Sequence, residues 1–140
     1  MAELHGGCLC GAIRYRVGAE PWAVSHCHCT YCRRATGAPF ITWMTLPADG
    51  FELTAGEIRH HASTPGVRRG FCGECGTTLT FAGDDHPEEI DVSAATLDDP
   101  EAVTPDDHLW SGSRLSWVKL EDGLPRLAEG HWGVGYPRKD

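Results

Sequence analysis

The stretch SHCHCTYCRR, residues 25–34, places three cysteines close together and interleaves two histidines with them. In an extended segment alternate side chains project to the same face, so Cys27 and Cys29 can share one ion. A C-x-x-C spacing on a tight turn does the same for Cys29 and Cys32. Because both spacings share Cys29, all three sulfurs can converge on a single metal ion.

The remaining cysteines form two pairs that lie far apart in the sequence: Cys8, Cys10, Cys72 and Cys75. Four thiolates make one complete tetrahedral set, which is typical of a structural zinc site. The three-cysteine group leaves the fourth coordination position vacant, which is typical of a catalytic zinc site. The odd number of cysteines, 7 in the chain, therefore predicts two zinc ions per chain, one structural and one catalytic.

Other assignments of these sulfurs stay open from the residues alone. His26 or His28 could close the three-cysteine group, although strand alternation points both histidines away from the metal. Another arrangement joins Cys8 and Cys10 with Cys27 and Cys29, and leaves Cys32 with Cys72 and Cys75. An iron–sulfur cluster also uses thiolates, but the spacing fits neither ferredoxin pattern. Disulfides rank last, because the count is odd and we expect a reducing compartment.

The composition predicts a mainly β domain with long loops. The 17 glycines and 9 prolines favour short strands and turns over long helices. Five segments have the residue types or alternation of strands: 12–17, 39–46, 57–63, 77–82 and 88–94. Residues 29–36 could form one short helical turn, and residues 108–120 show no clear period. We expect one domain over residues 1–140, with a core at about 4–124, built of antiparallel sheets.

Charge and hydropathy limit the function classes. The formal net charge of -8 disfavours nucleic acid as a partner, because proteins that bind it usually present a basic face. No apolar run approaches the ~20 residues of a membrane span. The first residues lack the pattern of a secretory signal, so we expect a cytoplasmic protein with no membrane partner.

Histidines and tryptophans are further candidates for roles at a site. Six histidines could transfer protons: His26, His28, His60, His61, His108 and His131. A single histidine in such a chain is more often structural than catalytic. Tryptophans are expected in the core or at its rim, and Trp43 and Trp110 could wall a pocket. The other three are Trp22, Trp117 and Trp132.

Four segments together resemble the family of glutathione-dependent formaldehyde-activating enzymes, which also contains the centromere protein V domain. The segments are GGCLCGAIRY, HCHCTYCRRATGAPF, RRGFCGECGTTL and TLDDP. They occur in the family's order, and the resemblance runs from about Leu4 to about Leu124. It implies a β-tent of antiparallel sheets held by two zinc ions. Thr77 stands where many members of the family have a serine.

The resemblance also implies ligands and an activity. The implied structural ligands are Cys8, Cys10, Cys72 and Cys75, and the implied catalytic ligands are Cys27, Cys29 and Cys32. In the implied reaction, glutathione adds to formaldehyde to give S-hydroxymethylglutathione, and the reverse makes the protein a carbon–sulfur lyase. The alternative is a zinc-stabilised binding module of the same fold without catalytic activity.

A small thiol such as glutathione is the expected partner. Two basic pairs lie beside cysteine groups and could attract an anionic small molecule: Arg33 with Arg34, and Arg68 with Arg69. Of these, Arg33, Arg34 and Arg68 are the candidates for contacts with the substrate carboxylates. A homodimer is one arrangement that the sequence allows.

Overall fold

The computed structural model describes residues 2–131, which form ten β-strands and one α-helix. The strands are β1 (Leu4–Gly7), β2 (Arg14–Val17), β3 (Ala23–Cys27), β4 (Ile41–Pro47), β5 (Phe51–Ala55), β6 (Arg59–His61), β7 (Val67–Phe71), β8 (Thr78–Gly83), β9 (Glu89–Ser93) and β10 (Asp107–Leu109). The helix is α1 (Thr30–Thr36). Within this part of the chain, no helix has the length and apolarity needed to span a bilayer.

The strands belong to two sheets. One sheet has three strands in the order β1-β2-β5, and the other has seven in the order β10-β3-β4-β9-β8-β7-β6. Neighbouring strands are antiparallel except β3 and β10, which run parallel with Leu109 opposite Cys27. The predicted mainly β, antiparallel architecture is therefore confirmed, with one parallel pair added at the edge of the larger sheet.

Each of the five predicted strand segments overlaps an observed strand, and the predicted helical turn is α1. The sequence patterns did not mark β1, β3, β5, β7 or β10. In β1 (LHGG) and β7 (VRRGF), glycines and basic residues break the alternation on which the prediction depends. Strand β3 (AVSHC) is buried at four of its five positions, so it shows no polar face to alternate with.

Each cysteine group packs into a separate apolar cluster. The larger cluster combines residues of both sheets and contains Cys8 and Cys72. Its other fully or nearly fully buried side chains include Ile13, Tyr15, Val17, Met44, Leu46, Leu79 and Val92. The smaller cluster consists of Cys27, Cys32 and Trp43. The apolar packing thus separates two sulfur-containing regions of the fold.

The turn between β1 and β2 requires a close approach of two backbone segments. The amide of Cys8 donates a hydrogen bond to the carbonyl oxygen of Ile13 at 3.1 Å. A Cβ atom added at Gly7 would lie 2.3 Å from that same carbonyl oxygen. Glycine at this position therefore allows the turn to close and to present Cys8.

We predict that Gly7→Ala lowers the free energy of unfolding by about 1–3 kcal/mol, because the backbone must shift to relieve the overlap. The matched control is Gly18→Ala, since a Cβ added at Gly18 meets nothing within 4 Å. The control should stay within about 0.5 kcal/mol of the parent. Urea unfolding at one fixed zinc concentration measures both changes. Equal effects of the two substitutions would contradict the role of Gly7.

Candidate metal centres and the adjoining cavity

Four sulfurs meet where the β1–β2 turn contacts the β7–β8 turn. The sulfurs of Cys8, Cys10, Cys72 and Cys75 all lie within 4.8 Å of one another. The Sγ atom of Cys10 is 3.6 Å from that of Cys8 and 3.9 Å from that of Cys72. Because the two turns belong to different sheets, an ion held by these four sulfurs would join the sheets. We call this group the four-sulfur centre.

The second half of the four-sulfur centre lies on a tight turn. The amide of Gly76, at φ 80°, donates to the carbonyl oxygen of Cys72 at 2.8 Å. The amide of Cys75 points to the sulfur of Cys72 at 3.5 Å. A positive φ favours glycine, so the C-x-x-C-G pattern suits a turn that aims both sulfurs to one side.

Thr77 links the two turns through its hydroxyl group. Its Oγ1 accepts a hydrogen bond from the amide of Leu9 at 3.1 Å and lies 3.2 Å from the sulfur of Cys75. When Cys75 is a thiolate its sulfur has no proton, so the hydroxyl of Thr77 is then the donor in this contact. This hydrogen bond lowers the pKa of Cys75 to about 5 and so favours the thiolate, the form that binds metals.

Three further sulfurs meet at the start of α1, and we call them the three-sulfur centre. The sulfurs of Cys27, Cys29 and Cys32 lie within 4.8 Å of one another. Cys27 ends β3, and Cys29 caps α1 by accepting a hydrogen bond at Sγ from the amide of Cys32 at 3.2 Å. The C-x-C pair therefore runs from the end of a strand to a helix cap, and the backbone at Cys29, with φ -63° and ψ 150°, is extended as its spacing predicts. Cys29 is the most exposed of the three.

The mutual contacts of these sulfurs favour binding of a cation. The hydrogen bond from Cys27 lowers the pKa of Cys29 to about 2, and the same contact raises the pKa of Cys27. A divalent ion allows all three sulfurs to ionise together. Both sulfur sets fit zinc, which prefers such soft ligands in tetrahedral arrangements.

A buried arginine lies against the three-sulfur centre. Arg69, in β7, is only 7% exposed, and its Nη1 lies 3.6 Å from the sulfur of Cys32. Its Nε donates to the hydroxyl of Ser63 at 3.2 Å, and its guanidinium lies over the ring of Phe81 at 4.9 Å. The positive charge of Arg69 thus faces the negative charge that thiolates bring to this site.

The arginines selected from the sequence lie elsewhere. Arg68 pairs with Asp84 at the surface at 2.6 Å, and Arg33 and Arg34 lie in the last turn of α1. Their proposed contacts with substrate carboxylates stay a prediction. Adjacent strand residues point to opposite faces, but the pair Arg68 and Arg69 gives no sign of which one points inward. Because no strand was predicted at β7, the sequence offered no basis for deciding which of the two arginines is buried.

A cavity of about 700 Å³ borders the three-sulfur centre. Its aromatic lining consists of Trp22, Tyr31, Trp43, Phe81 and Trp110. Trp43 and Trp110, the candidate pocket walls of the sequence, therefore both line it. Trp43 is 5% exposed and packs against Phe81 with ring centroids 6.2 Å apart. Trp117 is exposed, and Trp132 lies outside the described residues.

In addition to the cysteines and Tyr31, the titratable side chains in the cavity lining are Arg69, His86, Glu89, Asp91 and His131. Burial raises the pKa of Asp91 to about 7, although Oδ1 accepts a hydrogen bond from the hydroxyl of Thr45 at 2.5 Å. His131 lies 2.8 Å from Oδ2 of Asp107. Sequence reasoning did not select His86, Glu89 or Asp91, because their pattern does not differ from that of surface residues.

Most of the candidate histidines lie outside the cavity lining. His28 and His108 are fully buried. Nε2 of His28 lies 2.9 Å from Nδ1 of His108, and Nε2 of His108 lies 2.7 Å from Oδ2 of Asp122. Burial lowers the pKa of His28 to about 4, so its ring is neutral at pH 7. His26 contacts the hydroxyl of Thr42 at 2.8 Å. The cluster of three sulfurs includes neither His26 nor His28.

Comparisons with known proteins agree with the sulfur spacing and with the fold. The family described as "Glutathione-dependent formaldehyde-activating enzyme" (GFA) matches residues 3–113. This chain belongs to the GFA family. The resemblance stated from the cysteine motifs is thereby confirmed.

Relatives of this GFA chain carry related names. A protein of Halomonas elongata that bears the family's name is 29% identical over an alignment of 133 residues, and the match covers 84% of this chain and 81% of that protein. An uncharacterized lyase of Schizosaccharomyces pombe is 35% identical over 82 residues, which are 59% of each chain. A crystal structure from Rhodobacter sphaeroides aligns with a TM-score of 0.58 at 21% identity, covering 88% of this chain and 98% of that one. This structural likeness shows the fold alone.

Replacing Thr77 with valine removes the hydroxyl that joins Leu9 to Cys75. We predict a fall in zinc affinity at the four-sulfur centre of about 10- to 100-fold, as for other losses of groups that hydrogen-bond to metal ligands. Competition with a chromophoric chelator measures this affinity. Thr77→Ser is the matched control, since it keeps the hydroxyl and should stay close to the parent. Equal loss in both variants would show that keeping the hydroxyl does not preserve the affinity, which would contradict the role of its hydrogen bonds.

Replacing Asp91 with asparagine should change how stability depends on pH. The pKa of Asp91 is raised from 3.8 to about 7 in the folded protein, so its protonated form stabilises the fold at low pH. That contribution is lost as the pH rises toward about 7. The free energy of unfolding of the parent, relative to Asp91→Asn, should therefore fall between about pH 5 and about pH 8.

Urea unfolding at both pH values, with equal zinc, measures this difference. Asp98→Asn is the control of opposite sign, because the hydrogen bond from Arg14 lowers the pKa of Asp98. Its contribution to stability is present at high pH and lost as the pH falls. A constant difference between the parent and Asp91→Asn at all pH values would refute the raised pKa.

Proposed function

We propose that this GFA chain is a zinc-dependent carbon–sulfur lyase that acts on a small thiol adduct at Cys27, Cys29 and Cys32. In the forward direction the thiol sulfur bonds to the aldehyde carbon, the C=O π bond opens, and the thiol proton passes to the oxygen. The reverse direction breaks the carbon–sulfur bond. Family membership and the name of the yeast relative, a lyase, support this reaction class.

One observation carries the proposal. Within residues 2–131, no histidine, cysteine, aspartate or glutamate completes the three-sulfur centre as a fourth ligand, and a cavity adjoins the same sulfurs. Catalytic zinc sites characteristically keep one coordination position for water or substrate. The four-sulfur centre, by contrast, is complete and suits a structural role.

The cysteines, the buried arginine and the aromatic residues of the site have separate proposed roles. Cys27, Cys29 and Cys32 would hold zinc, which when bound lowers the pKa of a coordinating thiol and polarises an aldehyde oxygen. Arg69 offsets the excess negative charge of three thiolates and fixes the position of Cys32. Trp43 and Phe81 exclude water from one wall of the cavity, which strengthens electrostatic interactions inside it.

The predicted partner and compartment fit this chemistry. The reducing cytoplasm, which keeps thiols available to bind zinc, stays the predicted location. A small-molecule thiol, the class to which glutathione belongs, is the proposed substrate. A single domain over residues 1–140, the lack of a nucleic-acid partner and a homodimer stay predictions.

Cys29→Ala tests the proposal. We expect the protein-dependent rate of exchange between formaldehyde and its thiol adduct to fall at least about 100-fold, because the three-sulfur centre loses a ligand. Magnetisation-exchange NMR measures this rate against the uncatalysed background. Zinc content should fall from about two ions per chain to about one.

Circular dichroism checks that the variant is folded. We expect it to fold, because Cys29 lies outside the four-sulfur centre. Ala35→Ser, which changes an exposed residue of the same helix outside the cavity lining, is the matched control and should keep both zinc ions. Unchanged exchange in a folded Cys29→Ala variant would sink the enzymatic proposal. The alternative, a zinc-stabilised binding module without catalytic activity, would then stand.

A further inference from the structure

The cavity beside the three-sulfur centre presents an aromatic surface to whatever binds there. Five aromatic side chains line it, and the buried Trp43 packs in one cluster with Cys27 and Cys32. An apolar group attached to a sulfur at this centre would therefore lie directly against Trp43. Burying such a group contributes about 25 cal/mol per Å² of apolar surface removed from water.

The size of the cavity exceeds the needs of formaldehyde. A volume of about 700 Å³ is within the range of sites for drug-sized ligands. The reacting carbon and oxygen of a one-carbon aldehyde fill a small part of that space. Most of the cavity is thus available to the organic group that carries the thiol.

The charges in the cavity oppose an anionic thiol. Glutathione carries two carboxylates and one ammonium group, so it needs cationic partners when it leaves water. Among the described lining residues Arg69 is the one arginine or lysine, and it already contacts Cys32, Ser63 and the ring of Phe81. Glu89 and Asp91 add carboxyl groups to the same lining, and His86 and His131 add imidazoles.

From the aromatic lining, the volume and the charge pattern together, we propose that the thiol half of the substrate is an uncharged thiol that carries an aromatic ring, and not glutathione. This inference rests on the proposed function, because it concerns the substrate of the same centre. The bonds that form and break are unchanged: the sulfur of this thiol adds to the aldehyde carbon and its proton passes to the oxygen. The aromatic ring lies between Trp43, Phe81 and Trp110.

Three thiols separate the effect of the ring from that of the charge. Benzyl mercaptan supplies the ring alone, benzyl mercaptan with a para carboxylate adds one negative charge, and glutathione supplies charge without a ring. Quenching of tryptophan fluorescence in the zinc-loaded full chain gives each dissociation constant. Exchange NMR with formaldehyde gives each turnover rate. We expect benzyl mercaptan to bind at least about tenfold more tightly than either anionic thiol.

Two variants act in opposite directions. Trp110→Ala, at a residue 38% exposed, removes part of the aromatic lining with little risk to the fold and should weaken benzyl mercaptan several-fold while leaving glutathione unchanged. Thr64→Lys places a cation in the lining and should strengthen the two anionic thiols. Trp117→Ala, at an exposed residue outside the lining, is the control and should match the parent for all three thiols.

The outcomes distinguish this inference from the proposed function. Tighter binding of glutathione than of benzyl mercaptan, or no binding of any of the thiols, overturns the inference. Turnover of the glutathione adduct in that case would leave the lyase proposal intact. Preferential binding of benzyl mercaptan without turnover of any adduct would support the ligand class and contradict the lyase.

Discussion

The contact between two turns of different sheets is the constraint on which the rest of the structure depends. Cys10 and Cys72 are separated by 62 positions in the chain, yet their sulfurs lie 3.9 Å apart. Closing so long a loop costs conformational entropy, and four convergent thiolates offset that cost only when an ion holds them. The hydrogen bonds of Thr77 align the two turns for this purpose. The larger apolar cluster then packs residues of both sheets around Cys8 and Cys72.

A second constraint is the charge at the three-sulfur centre. Three sulfurs in contact, with two of them buried, concentrate negative charge in an environment that solvates it poorly. Arg69, in β7, offsets part of this charge. The face of its guanidinium lies on the ring of Phe81, and its edge contacts the sulfur of Cys32. The same arrangement leaves the cavity with little positive charge for a ligand. The chemistry of the sulfurs and the character of the ligand are therefore set by one side chain.

Cysteine spacing predicted the partition of the seven sulfurs, since C-x-C and C-x-x-C motifs restrict which sulfurs can converge locally. The family and the mainly β architecture followed from the same motifs and from strand alternation. Features that depend on strands without alternating apolar and polar residues could not be predicted from the sequence. Because β7 (VRRGF) was not marked as a strand, Arg68 and Arg69 looked equivalent, although one pairs with Asp84 at the surface and the other is buried. The carboxyl of Asp91 was missed for a similar reason, since its burial arises from distant contacts.

Strand β7 links the three-sulfur centre to the four-sulfur centre. It carries Arg69 against Cys32, and three residues later the chain reaches Cys72. A shift of β7 would move Arg69 and the Cys72 turn together, although the pairing of β7 with β8 changes register between Gly70 and Phe71. If ions bound at both sulfur sets and binding at one shifted β7, each would change the affinity of the other by the same factor.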